Sequence, residues 1–300
     1  MNVIQKFRKL LSKLSNIERY IDHRIQINEI VERSLNSVSK GLSNETEIVV
    51  SLTTYSKRIY DVHLTIESLF RQTMQAKRII LWLSKDEFTI DTIPHILKKQ
   101  QERGLEVRFC DDYKSYKKLI PTLSIITDSP IITVDDDYIY PYDFIERLVN
   151  TNRRFPDSVC YYTGSQITMN RKGVNPYLKW RNCKQEHIPS LLNFATGAGG
   201  VLYPAGCFSK EILNADAFTT IAPKADDLWF KTMTLLTKTK YVKVKMEVCF
   251  EDKFILLKNS QDIALHHTNV SGNENDKQLS NIIERYPFMK ILLEKSNQSQ

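Results

Sequence analysis

From Glu47 onward, short runs rich in β-branched residues alternate with amphipathic stretches, and this alternation constrains the fold more than any other feature of the chain. "EIVVSLTTY", "RIILWLS", "LEVRFCDD" and "PIITVDDD" read as strands, since short apolar runs bounded by turn formers suit strands buried on both faces. Between them "VHLTIESLFRQT", "TIPHILKKQQERG" and "KKLIPTLSIITD" carry apolar residues three and four apart and read as helical, the second closed by Gly104. Strands and helices repeating at intervals of about 25 residues predict an α/β fold, a mostly parallel, Rossmann-related sheet covered by helices on both faces. Ligands of such sheets bind at the carboxyl ends of the strands. Each strand here ends in polar chemistry: Thr53, Thr54, Tyr55 and Arg58, then Ser84, Lys85 and Asp86, then Asp111 and Asp112, then Asp135 to Asp137.

Residues 1–44 have a different pattern. Ile4, Phe7, Leu11, Leu14, Ile21, Ile25 and Leu35 recur by threes, fours and sevens, which predicts one long amphipathic helix as an N-terminal extension. Lys6, Arg8, Lys9 and Lys13 stand in its first thirteen residues without an acid, so the segment suits packing on the main domain, pairing with another copy, or peripheral contact with anionic lipid. Glu18, Asn28 and Glu32 interrupt the seam and weaken a coiled coil. "KGLSNETE" ends the helix as a linker, and residues 45–300 form one domain, because no linker-like stretch divides them. Its second half is expected to hold a strand in "SVCYYTG", a helix in "DDLWFKTMTLLTK", a strand in "YVKVKMEV" and a polar tail after His267.

The 300 residues carry a formal charge of +7, which favours an anionic partner without choosing among nucleic acid, acidic lipid and nucleotide. No apolar run approaches the ~20 residues of a spanning helix. The amino terminus lacks the apolar core and cleavage site of a secretory signal, so the expectation is a cytoplasmic protein, peripheral at most on the inner face of the membrane. Five scattered cysteines without a CxxC pair predict reduced thiols and no zinc site.

The "IITVDDDYIYP" segment puts three carboxylates at the end of a buried strand. On a continued strand Asp135 and Asp137 share one face and Asp136 takes the other. Two carboxylates so close repel one another unless protonated or bridged by a cation, and a hard divalent ion with oxygen ligands is the natural bridge. Capping of the helix that begins near Tyr142 would need only Asp143.

"IITVDDD", following three strand–helix units, resembles the aspartate-any-aspartate motif of nucleotide-sugar glycosyltransferases of the GT-A fold. "IVVSLTTYSKRI", "LTIESLFRQT", "RIILWLS", "SYKKLIP", "TGAGGVLYP" and "ADDLWF" are similar, in the same order, to segments of bacterial family-2-like members that build surface polysaccharide. The resemblance covers Glu47 to His267. It implies a GT-A fold and transfer of a hexose, with inversion, from a UDP-sugar to a saccharide or lipid-linked glycan acceptor in capsule, O-antigen or lipopolysaccharide synthesis. The implied cofactor is Mn2+ or Mg2+, held by Asp135 and Asp137, with a late histidine, His266 in preference to His267, completing the set. Thr53, Tyr55, Arg58, Asp112, Lys118, Asp135 and Asp136 are implied in holding the donor, through a hydroxyl, a stacking ring, cations and acceptors for base, ribose and phosphate. The resemblance also implies that Asp227 is the base that deprotonates the acceptor and that Asp226 positions it.

Nine glycines occur in the chain, and Gly197, Gly199, Gly200 and Gly206 cluster, so Gly199 and Gly200 read as a loop allowing close approach of a sugar or diphosphate. A tight turn into "GVLYP" explains them equally well. Asp226 and Asp227 could simply favour the dipole of their helix, and Trp229 could be core or a sugar platform. Arg153 to Lys184 is basic, with Tyr161, Tyr162, Tyr177 and Trp180 interleaved; a solvated loop or an acceptor surface accounts for it better than nucleic acid does, since no RNA-binding motif accompanies it. Two rival functions stand beside the transferase. An aspartyl phosphotransferase or phosphatase also uses DxD at a strand end, but it needs a small pair where Tyr138 and Ile139 stand. The other rival is a non-catalytic, nucleotide-binding assembly protein.

Overall fold

The computed structural model describes residues 3–171, 173–182, 187–257 and 274–298. Helix α1 (Val3–Asn36) precedes the α/β body. The first half then runs β1 (Val49–Thr53), α2 (Val62–Phe70), β2 (Arg78–Ser84), α3 (His95–Glu102), β3 (Leu105–Cys110), a single helical turn α4 (Ile120–Leu123) and β4 (Ile131–Thr133). β5 (Tyr138–Ile139), α5 (Phe144–Arg154) and β6 (Val159–Tyr161) follow. Small antiparallel elements come next, β7 (Gly164–Gln166), β8 (Met169–Asn170), β9 (Gly173–Val174), β10 (Arg181–Asn182) and β11 (Asn193–Ala195). β12 (Val201–Tyr203), α6 (Ala215–Ile221), α7 (Asp226–Leu236), β13 (Tyr241–Lys243), α8 (Phe250–Lys253), β14 (Ile255–Leu256), α9 (Glu274–Arg285) and α10 (Phe288–Gln298) complete it.

Seven strands form the central sheet in the order β13-β6-β12-β4-β1-β2-β3. The pairs β4–β1, β1–β2, β2–β3 and β13–β6 are parallel, whereas β12 runs antiparallel to both β4 and β6. The sheet is thus mostly parallel, with one reversed strand near its middle. Alternation along each strand divides the apolar side chains between two cores. Val49, Ile80, Trp82 and Ile131 pack with Trp229, Phe230, Met233, Leu279 and Ile282 on one face. Val50, Leu52, Ile79, Leu81 and Ile132 pack with Ile66, Leu69, Leu97 and Leu148 on the other. Beneath the first face Thr122 Oγ1 lies 2.6 Å from Ser51 Oγ and accepts from Trp82 Nε1 at 2.7 Å.

Two expectations are corrected. "KKLIPTLSIITD" is not one helix but a 3-10 turn, Lys114–Lys118, followed by the single turn of α4, with Pro121 in its first positions. The chain after residue 273 is no mere polar tail. Leu279, Ile282, Tyr286, Met289 and Leu293 fall at helical spacing and bury α9 and α10 into the core beside α7. Of the aromatics in the basic stretch, Tyr161, Tyr162 and Trp180 are buried and Tyr177 is half-buried.

The carboxyl-terminal half of α1 packs on the body: Ile30 is fully buried with Leu64, Ile139, Ile255 and Leu257. Arg33 lies 3.5 Å from the buried Glu67, and Glu29 reaches Arg71 at 3.3 Å.

Candidate active site

The carboxyl ends of β1, β3 and β4 open onto one crevice, and the first and last of these ends meet through Arg58. After β1 the chain reaches Ser56, a non-glycine residue at φ 50°, and enters the 3-10 turn Ser56–Tyr60. That turn carries Arg58 back over the acidic segment, where its guanidinium lies 2.5 Å from Asp136 Oδ1 and 2.5 Å from Asp137 Oδ2. Thr54 Oγ1 donates to the other oxygen of Asp136 at 2.6 Å. Asp136 therefore lies buried beneath the crevice, while Asp135 and Asp137 stay partly exposed. Burial pushes the Asp136 carboxyl upward and Arg58 opposes that; burial likewise opposes the charge on Arg58, and Asp136 and Asp137 more than restore it.

The end of β3 is built in the same manner. Lys114, at φ 52°, begins a 3-10 turn carrying Lys117 and Lys118. Lys117 pairs with Asp112; burial pushes that carboxyl up, but the hydrogen bond and charge of Lys117, with the N–H and charge of Lys114, together hold it below its usual range. Lys118 Nζ sits 3.1 Å from Asp135 Oδ1 and 3.1 Å from Asp226 Oδ2, bridging the strand end to the start of α7. Burial alone would lower the Lys118 ammonium, but Asp135, Asp226 and Asp227 hold it well above its ordinary value.

The acidic pair does not cap its helix. Ala225 stands at the N-cap without a side-chain hydrogen bond, and Asp227 Oδ2 accepts from the Gly197 N–H at 3.1 Å. Asp227 keeps an exposed edge, yet it is packed closely enough that desolvation, with Asp226 and Asp135 adding to it and Lys118 opposing, raises its carboxyl to about 7. Trp229 belongs to the core, with Nε1 donating to the Ile212 carbonyl at 3.2 Å.

The glycine loop divides in two. A Cβ at Gly197 would meet Lys118 Nζ at 2.8 Å and Asp135 Oδ1 at 3.4 Å, so its missing side chain leaves the crevice open at the carboxylates. Gly199 and Gly200, at φ 85° and 86°, instead press against Phe250 and Phe144, where a Cβ would come within 2.6 and 2.5 Å. The missing side chain of Gly197 thus faces Lys118 and Asp135, and those of Gly199 and Gly200 face aromatic rings.

The remaining sequence candidates are placed as follows. Thr53 Oγ1 donates to the Trp82 carbonyl at 2.8 Å, and the Tyr55 ring lies 5.5 Å from the Arg58 guanidinium. His266 and His267 lie outside the described residues. Sequence reasoning did not single out Thr54 as the partner of Asp136, nor Gly197 as the contact between the loop and both acidic groups. A threonine beside Thr53 and a glycine at the start of the cluster were the only signals.

The donor set suits a hard divalent ion. Asp135 and Asp137 present carboxylate oxygens, and the space beside Asp135 is one that a Cβ at Gly197 would fill. Among the described residues no group of three or more His, Cys, Asp or Glu side chains gathers to hold a metal, so water and ligand oxygens would complete the shell.

No family model and no curated protein sequence matches the chain. Among solved structures it is similar to the mannosyltransferase PcManGT of Pyrobaculum calidifontis in complex with GDP-Man and Mn2+, at 11% identity and TM-score 0.53, covering 94% of this chain and 78% of that one. It also matches S. aureus TarS 1-349 in complex with UDP, at 16% identity and TM-score 0.43, over 66% of this chain and 60% of that one. The first likeness extends over nearly the whole chain, and with the sheet order and the helices on both faces it makes the architecture GT-A-like.

Proposed function

We propose that this chain is a metal-dependent, inverting glycosyltransferase that moves a hexose from a UDP-sugar to a saccharide or lipid-linked saccharide acceptor in bacterial surface-glycan synthesis. The observation that carries the reading is the bridge through Lys118: one ammonium lies 3.1 Å from the first aspartate of the acidic strand end and 3.1 Å from the acidic pair of α7. Candidate donor site and candidate base thus share a crevice at the strand ends, where α/β sheets bind ligands.

Asp135 and Asp137 would hold Mn2+ or Mg2+, which supplies charge neutralisation for the departing diphosphate. In the transfer the acceptor oxygen bonds to the anomeric carbon, the bond from that carbon to the diphosphate oxygen breaks, and the diphosphate leaves with the electron pair. The acceptor proton passes to the Asp227 carboxylate, which Gly197 orients through its N–H and which is poised as a base near neutrality. Asp226, fixed by Lys118, positions the acceptor. Inversion rests on a base acting on the acceptor without a covalent sugar–enzyme intermediate.

UDP binding measured by calorimetry with Mn2+ and then with EDTA tests the reading, with Asp137→Asn as control. Metal-dependent binding lost in the variant is expected. Binding unaffected by EDTA would remove the metal from the account. No binding of UDP, followed by binding of GDP, which PcManGT holds as GDP-Man, would change the donor and keep the fold-based argument.

A further inference from the structure

Helix α1 is fixed to the body by only part of its length. Ile27, Ile30, Val31 and Ser34 pack inward, whereas Leu14, Ile17, Tyr20, Ile21 and Ile25 are each half exposed or more. Leu14, Ile17, Ile21 and Ile25 recur at intervals of three and four, so they form one stripe on a face that no described residue covers. The sequence carries the same period back through Leu11, Leu10, Phe7 and Ile4. At 3.6 residues per turn the combined apolar sector spans roughly 140°, wider than the two-position seam of a coiled coil.

The charge pattern distinguishes the occupants. Lys6, Arg8, Lys9 and Lys13 precede the first acid, Glu18. A run of cations along a broad apolar pattern suits an interfacial helix whose basic residues reach lipid phosphates. A second copy of the same helix would bring these cations together, which disfavours pairing. Among the described residues no helix is long and apolar enough to span a bilayer.

We propose that the amino-terminal half of α1 docks the protein on an anionic membrane surface, lying in the interface with Leu14, Ile17, Ile21 and Ile25 turned into the lipid. The helix reaches the body through Arg19, which lies 3.2 Å from Asp252, and through Ile30, which shares a cluster with β5 and β14, immediately after the acidic strand end. This inference stands independently of the transferase reading, because none of its residues belongs to the crevice.

The full chain is mixed with sedimentable vesicles of phosphatidylcholine alone and with about one third phosphatidylglycerol, at low and high salt, and its oligomeric state is measured in parallel. Binding to the anionic vesicles only, weakened by salt, is expected. At about one kilocalorie per mole for each basic residue, Lys6→Gln with Lys13→Gln should weaken binding roughly thirtyfold. Ile17→Asp with Ile21→Asp should abolish it, while UDP calorimetry and thermal stability stay unchanged. No preference for anionic vesicles overturns the proposal. So does a dimer that Ile17→Asp dissociates, which would assign the stripe to a second copy.

Discussion

Arg58 is held between Asp136 and Asp137, and its removal would leave Asp136 buried without a countercharge. Loss of one partner of a buried ion pair costs about 3–5 kcal/mol, so Arg58→Ala should lower unfolding stability by that order in denaturant titration. Asp227 presents the opposite case. Its carboxyl is raised from 3.8 to about 7, so the fold holds that proton more tightly than the unfolded chain does. The stabilisation is complete below the ordinary value and is lost as pH rises toward 7. Asp227→Asn should therefore raise the melting temperature at pH 8 by a few degrees while lowering donor turnover, read as nucleotide release with acceptor, on the order of 10²–10⁴-fold. In the parent chain turnover should rise with pH through an apparent pKa near 7, which burial, Asp226 and Asp135 raise against Lys118; a flat profile between pH 5 and 8 would remove Asp227 as base. Gly197→Ala should weaken nucleotide binding, since its Cβ would lie 2.8 Å from Lys118 Nζ. The acids of this crevice were legible in the sequence because three of them follow a buried strand, where capping needs fewer. Arg58 and Lys118 were named there as donor contacts, but their pairing with these acids was not legible, since they stand 78 and 17 residues away along the chain from the aspartates they meet. Only the paired 3-10 turns bring them back.

Among the elements, α7 shows how far local pattern reaches. Its acids, apolar residues and length predicted a helix over 226–238, and it runs from Asp226 to Leu236. The sequence did not reveal that its face would be covered by α9 and α10, whose polar residues conceal a buried stripe. Ile282 is fully buried in that stripe. Ile282→Ala should cost about 2–5 kcal/mol in denaturant unfolding if the carboxyl-terminal helices belong to the core, and near zero if they do not. The "KKLIPTLSIITD" stretch misled in the other direction. Its apolar spacing is helical, but tertiary contacts take over: Tyr116 is stacked at 4.4 Å on Phe218 and bonded to the Ala222 carbonyl, and this breaks the run into two short turns.

At the scale of the whole molecule, alternating strands and helices revealed the parallel half of the sheet, because each such unit is a local pattern that sequence displays. The reversed strand β12 was not legible, since three buried residues, Val201 to Tyr203, carry no mark of direction. Its position has a consequence for the order of assembly. β12 lies between β4 and β6, and β6 alone joins β13 to the rest. Until residue 203 has left the ribosome, the edge of β4 stays open and β6 has no neighbour in this sheet, so the first 161 residues of a growing chain hold sheet strands that cannot yet be joined. A nascent chain stalled before Val201 should be cut readily by protease across both open edges, and one released past Lys243 should resist it.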